Sequence, residues 1–256
     1  MAAVTRTATF QSFFTSVKDT VSLALVTDFD GTLAPFQVDR DSVRPYPGAV
    51  EALLKLAIYG TKVIVVSGRA AHDVRRMLGV QSFEIWGSHG AEHLLPSGEY
   101  MQSDVPAHFD SLIEALDREQ LSSLVEAKPF GVAVHWRGKS PHEASEIRFA
   151  AVRAFQWVRL PGIAAFDFDG GVEFRSCLAN KGEAIRRIKS EHPSVPMLYL
   201  GDDLTDEDAF EALDDNDLGV LVRPEYRTTA AQVWLKPPEQ LLSLFDFLAL
   251  TMRGQS

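Results

Sequence analysis

The chain is short of cysteine, of basic residues and of long apolar runs, and each shortage removes a class of protein. A single cysteine, Cys177, in 256 residues excludes an internal disulfide framework and a cysteine-based zinc site, and it fits a reducing compartment. Cys177 is expected to be a packed thiol. Lys and Arg number 25 against 35 Asp and Glu, a net charge of -10. A phosphate-rich polymer is therefore repelled at long range, and an anionic substrate must be met by a local cluster of cations. No run approaches the ~20 apolar residues of a membrane span. Gln11, Ser12, Ser16, Lys18 and Asp19 interrupt the segment before Leu23, so no signal peptide is read there. A cytoplasmic protein is expected, with no nucleic-acid and no membrane partner. Repeats and low-complexity segments are also missing. What is present, 46% hydrophobic and 23% charged residues, is ordinary for a folded domain or two.

The apolar run Leu23-Ala24-Leu25-Val26 breaks into Asp28-Phe29-Asp30-Gly31-Thr32-Leu33. Side chains alternate along a strand, so residues two apart start out in the same direction, and Gly31 allows a sharp exit. Two carboxylates then converge at a strand end. Each raises the other's pKa unless a cation lies between them, and Mg2+, which sits on one or two carboxylates plus substrate phosphate, suits the place. One aspartate then serves as nucleophile and the other as acid/base. The bland alternative is a strand that ends in two aspartates.

Phe10, Phe13, Phe14 and Val17 predict a short amphipathic helix beside the first strand. Val50, Leu53, Leu54, Ala57 and Ile58 predict a helix closing at Gly60, followed by the buried strand Lys62 to Val66. Strand, helix, strand is the order of a parallel α/β sheet, whose functional loops lie at the carboxyl ends of its strands. From about Pro106 to Arg175 the texture changes to a helical stripe at Phe109, Leu112, Ile113 and Leu116, a strand over Phe130 to Arg137, and a helix through Ile147 and Val158. A hairpin then turns at Asp169-Gly170-Gly171. This stretch reads as an inserted α+β module. The α/β pattern resumes with a helix around Glu183 to Ile188, strands over Met197 to Leu200 and Leu218 to Val222, and a helix over Leu241 to Leu250.

Three further motifs carry chemistry. Ser67-Gly68-Arg69 follows a buried strand, where a hydroxyl, a turn of amides and a forked donor can hold phosphate. Asn180-Lys181-Gly182 offers a lysine that can cancel charge on a nucleophile. Gly201-Asp202-Asp203-Leu204-Thr205-Asp206-Glu207-Asp208 puts five carboxylates after an apolar strand. A calcium loop needs a glycine at its sixth position, and Glu207 stands there. Thr205 with Asp208 can cap the next helix, which leaves Asp202 and Asp203, nearest the strand end, as metal candidates. Asp167-Phe168-Asp169-Gly170-Gly171 nearly repeats the first motif, but its alternating flanks assign it to the turn.

In this order the four motifs resemble the haloacid dehalogenase superfamily of phosphotransferases. The resemblance implies Asp28 as the nucleophile, Asp30 as the acid/base, Ser67, Gly68 and Thr32 around the phosphate, and Lys181 steadying it. Mg2+ is then held by Asp28, the Asp30 carbonyl and Asp202, with Asp203 supporting through water. The implied fold is a Rossmann-like parallel-sheet core, residues 1–105 and 176–256, with an inserted α+β cap of C2B type over residues 106–175. Gly87-Ser88-His89-Gly90-Ala91-Glu92, Glu126-Ala127-Lys128 with His135-Trp136-Arg137, and Val172-Glu173-Phe174-Arg175 further resemble the trehalose-6-phosphate phosphatases. That family grips sugar hydroxyls with a cap Glu-x-Lys and a later Glu, here Glu126, Lys128 and Glu173, with Arg69 helping from the core. Phe29 and Trp136 stand where the family often has Tyr. His89 and His135 are left out of catalysis as packed or satisfied histidines.

The resemblance implies hydrolysis of trehalose 6-phosphate, with a small sugar phosphate as ligand, a monomer as the assembly and a trehalose-phosphate synthase as functional companion. Sucrose, glucosylglycerol or mannosylglycerate phosphate would keep the reaction and change the sugar. A catalytically silent sugar-phosphate sensor would keep the fold alone, but it has no need of Asp30. A response-regulator receiver lacks the inserted module and Asp30-Gly31-Thr32.

Overall fold

A computed structural model describes residues 8–19, 22–37, 42–103 and 109–254. The expected boundary between residues 105 and 106 lies outside them. The chain order is α1 (Ala8–Asp19), β1 (Leu23–Thr27), α2 (Ala49–Ile58), β2 (Thr61–Val66), α3 (Ala71–Leu78), β3 (Glu84–Gly87), β4 (Glu92–Leu94), β5 (Tyr100–Gln102), α4 (Asp110–Arg118), β6 (Val125–Lys128) and β7 (Gly131–His135). It continues with α5 (Pro141–Val158), β8 (Ile163–Phe168), β9 (Gly171–Ser176), α6 (Lys181–Glu191), β10 (Met197–Gly201), α7 (Glu207–Glu211), β11 (Leu218–Val222), β12 (Val233–Leu235) and α8 (Glu239–Arg253).

Eight strands form one sheet in the order β12-β11-β10-β1-β2-β3-β4-β5. The stretch from β12 to β3 is parallel, and β4 and β5 add an antiparallel edge. β1 is central and wholly buried, which its unbroken apolar run requires of a strand covered on both faces. Period two splits it: Leu23 and Leu25 join the core under α2, α3 and α8, while Ala24 and Val26 join the one under α6 and α7. Burying a leucine this completely contributes roughly 2 kcal/mol. The predicted first helix exists, but its Phe10 and Phe14 rings pack on Phe247 of α8, at 6.0 and 5.0 Å.

The inserted module is a four-stranded antiparallel sheet, β6-β7-β9-β8. One face, with Val132, Val134, Val172 and Phe174, packs on α4 and α5. A capping box between Ser140 and Glu143, with Pro141 in the first turn, starts α5. By alternation the other face carries Glu126, Lys128, Ala133, Glu173 and Arg175, and register sets Glu126, Ala133, Glu173 and Phe166 in one row across it. The hairpin turns at Asp169-Gly170, with Gly171 already in β9, and Gly170 takes φ +93°. Cys177, expected to be packed, is exposed. It follows β9 where the chain leaves the small sheet for α6, so neither core covers it.

Candidate active site

Asp28 continues the even-numbered series of β1 one residue past the strand end, on the side of α6. Its amide donates to Leu200 O at 2.8 Å, and the residue is 4% exposed. The turn that follows is closed by backbone: Gly31 N donates to Ala34 O, and Leu33 N and Ala34 N both donate to Phe29 O. Gly31 has φ +84°, and a Cβ there would lie 2.2 Å from Asp202 Oδ2. The turn and the acidic strand end thus meet at a point only glycine fits.

Lys181 is the first residue of α6, whose Asn180 caps the Glu183 amide at 2.8 Å. Its buried ammonium donates to Asp28 Oδ1 and to Asp206 Oδ1, both at 2.7 Å. Carboxylate oxygens of Asp28, Asp202 and Asp206 lie within 4.8 Å of one another, all buried. Three carboxylates against one ammonium leave two negative charges out of water, and the pKa values respond. Burial raises Asp28 to about 8, against the pull of Lys181 and with the push of Asp206 and Asp30. Burial and then the Asp28 charge carry Asp202 well above the carboxylate range. Asp206 is held low, because Lys181 and the Tyr199 hydroxyl outweigh its burial. A hard divalent cation matches both the oxygen donors and the missing charge.

Asp206 went unread in the acidic run, and it is the most heavily bonded of the five. Its Oδ1 accepts from Lys181 and from Tyr199 Oη at 2.6 Å, and its Oδ2 accepts from the amides of Asp202 and Asp203 at 2.9 Å each. The capping box here is Asp203 with Asp206, not Thr205 with Asp208, because the chain first makes a short 3-10 turn over Leu204–Asp206. Asp203 lies outside the three-carboxylate group. Its two oxygens accept the Asp169 amide at 3.1 and 3.0 Å, and Oδ1 also takes the Leu204 amide. The near-repeat motif of the hairpin is thus more than a turn: its tip docks the small sheet onto the acidic loop, and Arg223 Nη2 adds a 3.1 Å bond to Asp169 Oδ2.

Ser67, Gly68 and Arg69 follow β2 as expected. Ser67 is buried and its Oγ accepts from Arg69 N at 3.2 Å. Arg69 grips both oxygens of Asp30, Nε to Oδ2 at 2.6 Å and Nη2 to Oδ1 at 2.7 Å. Thr32 Oγ1 is 3.5 Å from Asp202 Oδ1. Across from these lie the expected residues of the small sheet. Lys128 Nζ donates to Glu173 Oε1 at 3.0 Å, and Glu126 Oε2 is 2.9 Å from His135 Nε2. The core reaches Glu173 through His89, whose Nε2 is 2.9 Å from Oε2. Ser88 and His89 both adopt left-handed backbone, φ 47° and 58°, and the imidazole lies over Gly68, where a Cβ would be 2.6 Å from Nε2. The Ser-His-Gly segment was visible in the sequence, yet only the fold sets it between the Ser67-Gly68-Arg69 turn and Glu173.

Residues 26–233 match the trehalose-phosphatase family. The chain belongs to that family. It is 35% identical over 248 residues to the trehalose-phosphate phosphatase of Mycobacterium leprae, covering 88% of this chain and 57% of the relative. The chain thus spans about three fifths of the length of the curated relatives it matches. Among solved structures, the C-terminal domain of Candida albicans trehalose-6-phosphate phosphatase superposes with TM-score 0.81 at 19% identity, covering 93% of this chain and 96% of that one. A haloacid dehalogenase-like hydrolase of Bacteroides thetaiotaomicron gives TM-score 0.66 at 13% identity, covering 89% and 99%. The expected Rossmann-like core with an α+β cap is the fold these two share with this member of the trehalose-phosphatase family.

Proposed function

We propose that this chain is a Mg2+-dependent phosphatase that hydrolyses trehalose 6-phosphate through an aspartyl-phosphate on Asp28, with residues 106–175 as its cap. The observation that carries the reading is the buried Asp28–Lys181 pair, in a group of three carboxyls against one ammonium, in a core joined through His89–Glu173 and Asp203–Asp169 to the small sheet that bears Glu126, Lys128 and Glu173. Lys181 holds one oxygen of Asp28 and so fixes the direction of the nucleophile. Asp28 and Asp202, with the Asp30 carbonyl, would hold the Mg2+, which when bound neutralises charge where one anion attacks another. Asp203 belongs to the outer part of the site. Asp206 orients Lys181 and the two amides beside Asp202.

Arg69 holds Asp30 by both oxygens and so orients its carboxyl until the substrate phosphate engages the guanidinium. Asp30 then protonates the leaving sugar oxygen and afterwards takes a proton from the water that attacks the aspartyl-phosphate. Ser67 Oγ and the amides near Gly68 receive the phosphoryl oxygens, with Thr32 alongside. Glu126, Lys128 and Glu173 combine carboxylates with an ammonium, donors and acceptors that match a polyol. The reaction is placed in the cytoplasm, in a monomer working beside a synthase that supplies the sugar phosphate. No described helix is long and apolar enough to cross a membrane.

The test is Mg2+-dependent phosphate release from the phosphates of trehalose, sucrose, glucose and glucosylglycerol, with Asp28→Asn as control. Preferential release from trehalose 6-phosphate, abolished in Asp28→Asn, is expected. Preference for another sugar would overturn the assignment of Glu126, Lys128 and Glu173, and no release from any would point to a sensor.

A further inference from the structure

Beside Glu173 lie two buried groups that the proposed chemistry does not use. Arg175 stands two residues after Glu173 on β9, so both leave the same face of the cap sheet. Only 2% of it is exposed, and its Nε, Nη1 and Nη2 have no acceptor among the described residues. Its guanidinium carbon lies 3.9 Å from the centroid of the Phe166 ring, a cation–π contact that holds the group in place without supplying a hydrogen-bond acceptor for its N–H groups. Gly131 is opposite, where a Cβ would sit 3.0 Å from Glu173 Oε1 and 3.2 Å from Arg175 Cβ. The two side chains close over a position that glycine leaves open.

His89 is the second group. Burial opposes the charge on Glu173, but Lys128 holds it well below the usual carboxylate range, so Glu173 accepts only and His89 Nε2 carries the hydrogen. Burial, and after it the charge of Arg175, pushes His89 down to about 3. The ring is neutral and Nδ1 is a bare lone pair, which is also buried without a partner among the described residues. Donors short of acceptors therefore stand in one cluster with an acceptor short of a donor. An anion satisfies only the guanidinium, whereas a hydroxyl satisfies both, its oxygen accepting from Arg175 and its hydrogen going to Nδ1.

We propose that Arg175 is a substrate-recognition residue that donates to hydroxyls of the sugar unit distal to the phosphate, with His89 Nδ1 as the matching acceptor. This rests on the phosphatase reading above and adds to it the residues that read the second sugar. A buried guanidinium without an acceptor is destabilising until ligand arrives. Arg175→Met therefore weakens substrate recognition without lowering the thermal stability of the ligand-free protein.

The experiment measures kcat and KM for trehalose 6-phosphate and glucose 6-phosphate, inhibition by free trehalose and by inorganic phosphate, and the ligand-free Tm, in wild type and Arg175→Met. The preference for trehalose 6-phosphate is expected to fall about 10- to 100-fold, mainly through KM. Inhibition by trehalose should weaken in parallel, with Tm unchanged or raised. A preference kept within about twofold, or lost with a lowered Tm and unchanged trehalose inhibition, overturns the proposal, as does weakened inhibition by phosphate alone. Wild type using both substrates equally overturns the trehalose specificity on which this proposal rests, and phosphate release from neither overturns the phosphatase reading itself. If Arg175→Met does not fold, Arg175→Lys, which keeps the charge and loses the planar fork, carries the same comparison.

Discussion

Asp206→Asn is the substitution that most directly tests how the acidic cluster is held. The carboxylate offers two acceptor oxygens to four donors: Lys181 Nζ, Tyr199 Oη and the amides of Asp202 and Asp203. Asparagine has one oxygen. If that oxygen keeps Lys181 and Tyr199, the new amide group faces two backbone N–H groups, and both lose their acceptor. Each buried donor left unpaired costs about 1–3 kcal/mol, so about 4 kcal/mol is expected in all. For a chain of this size that lowers Tm by roughly 8–16 °C, at about 2–4 °C per kcal/mol. Removing the Asp206 charge also relieves its push on Asp28, which offsets part of the loss. The amides that position Asp202 shift, so kcat should fall about 100-fold, the scale of a 1 Å misplacement. Thermal unfolding and steady-state kinetics check both effects, with exposed Asp215→Asn as a control expected within about 0.5 kcal/mol of wild type. A Tm drop below about 3 °C, with kcat within about threefold, would show that Asp206 does not organise the site.

Metal should matter more at high pH. Asp28 is raised from 3.8 to about 8 in the fold, so the stability tied to this group is present at low pH and lost as pH rises through the folded value. Mg2+ favours the ionised form and restores what is lost. The Tm gain on adding Mg2+, relative to EDTA, should therefore be larger at about pH 8 than at about pH 5.5; an equal or smaller gain at the higher pH would contradict this. Gly31→Ala strains a residue at φ +84° and drives its Cβ to 2.2 Å from Asp202 Oδ2, so turnover should collapse by about 100-fold. Gly98→Ala, at φ +91° with nothing within 4 Å, isolates the strain and should lose about 1 kcal/mol with turnover unchanged. Similar kinetics for the two variants would remove the close approach at Gly31 from the account.

Much of the fold could be read from periodicity. Leu23 to Val26, Lys62 to Val66 and Met197 to Leu200 are continuous apolar runs with turn signals after them, and a strand buried on both faces has no other way to look. Asp28, Ser67 and Asp202 were legible because they end such runs, where a parallel sheet gathers its loops. Asp206 was harder: in a run of five acids nothing local tells a four-bonded carboxylate from a solvated one. Cys177 was misjudged because burial depends on which surface the chain passes over after β9. His89 could be seen in Ser-His-Gly, but left-handed backbone at two non-glycine residues is not a property that composition announces.

The sequence by itself determined the strand ends, the order of the chemical motifs and the alternation that separates the two faces of the cap strands, because these depend on near neighbours along the chain. Tertiary structure alone decided which charges meet. Lys181 reaches Asp28 across 153 positions and Asp206 across 25. His89 meets Glu173 across 84, and Asp169 docks on Asp203 across 34. The balance of three carboxylates against one ammonium, and the guanidinium of Arg175 buried without an acceptor among the described residues, exist only once those distances close. Burial then removes the water that would otherwise have screened the charges apart.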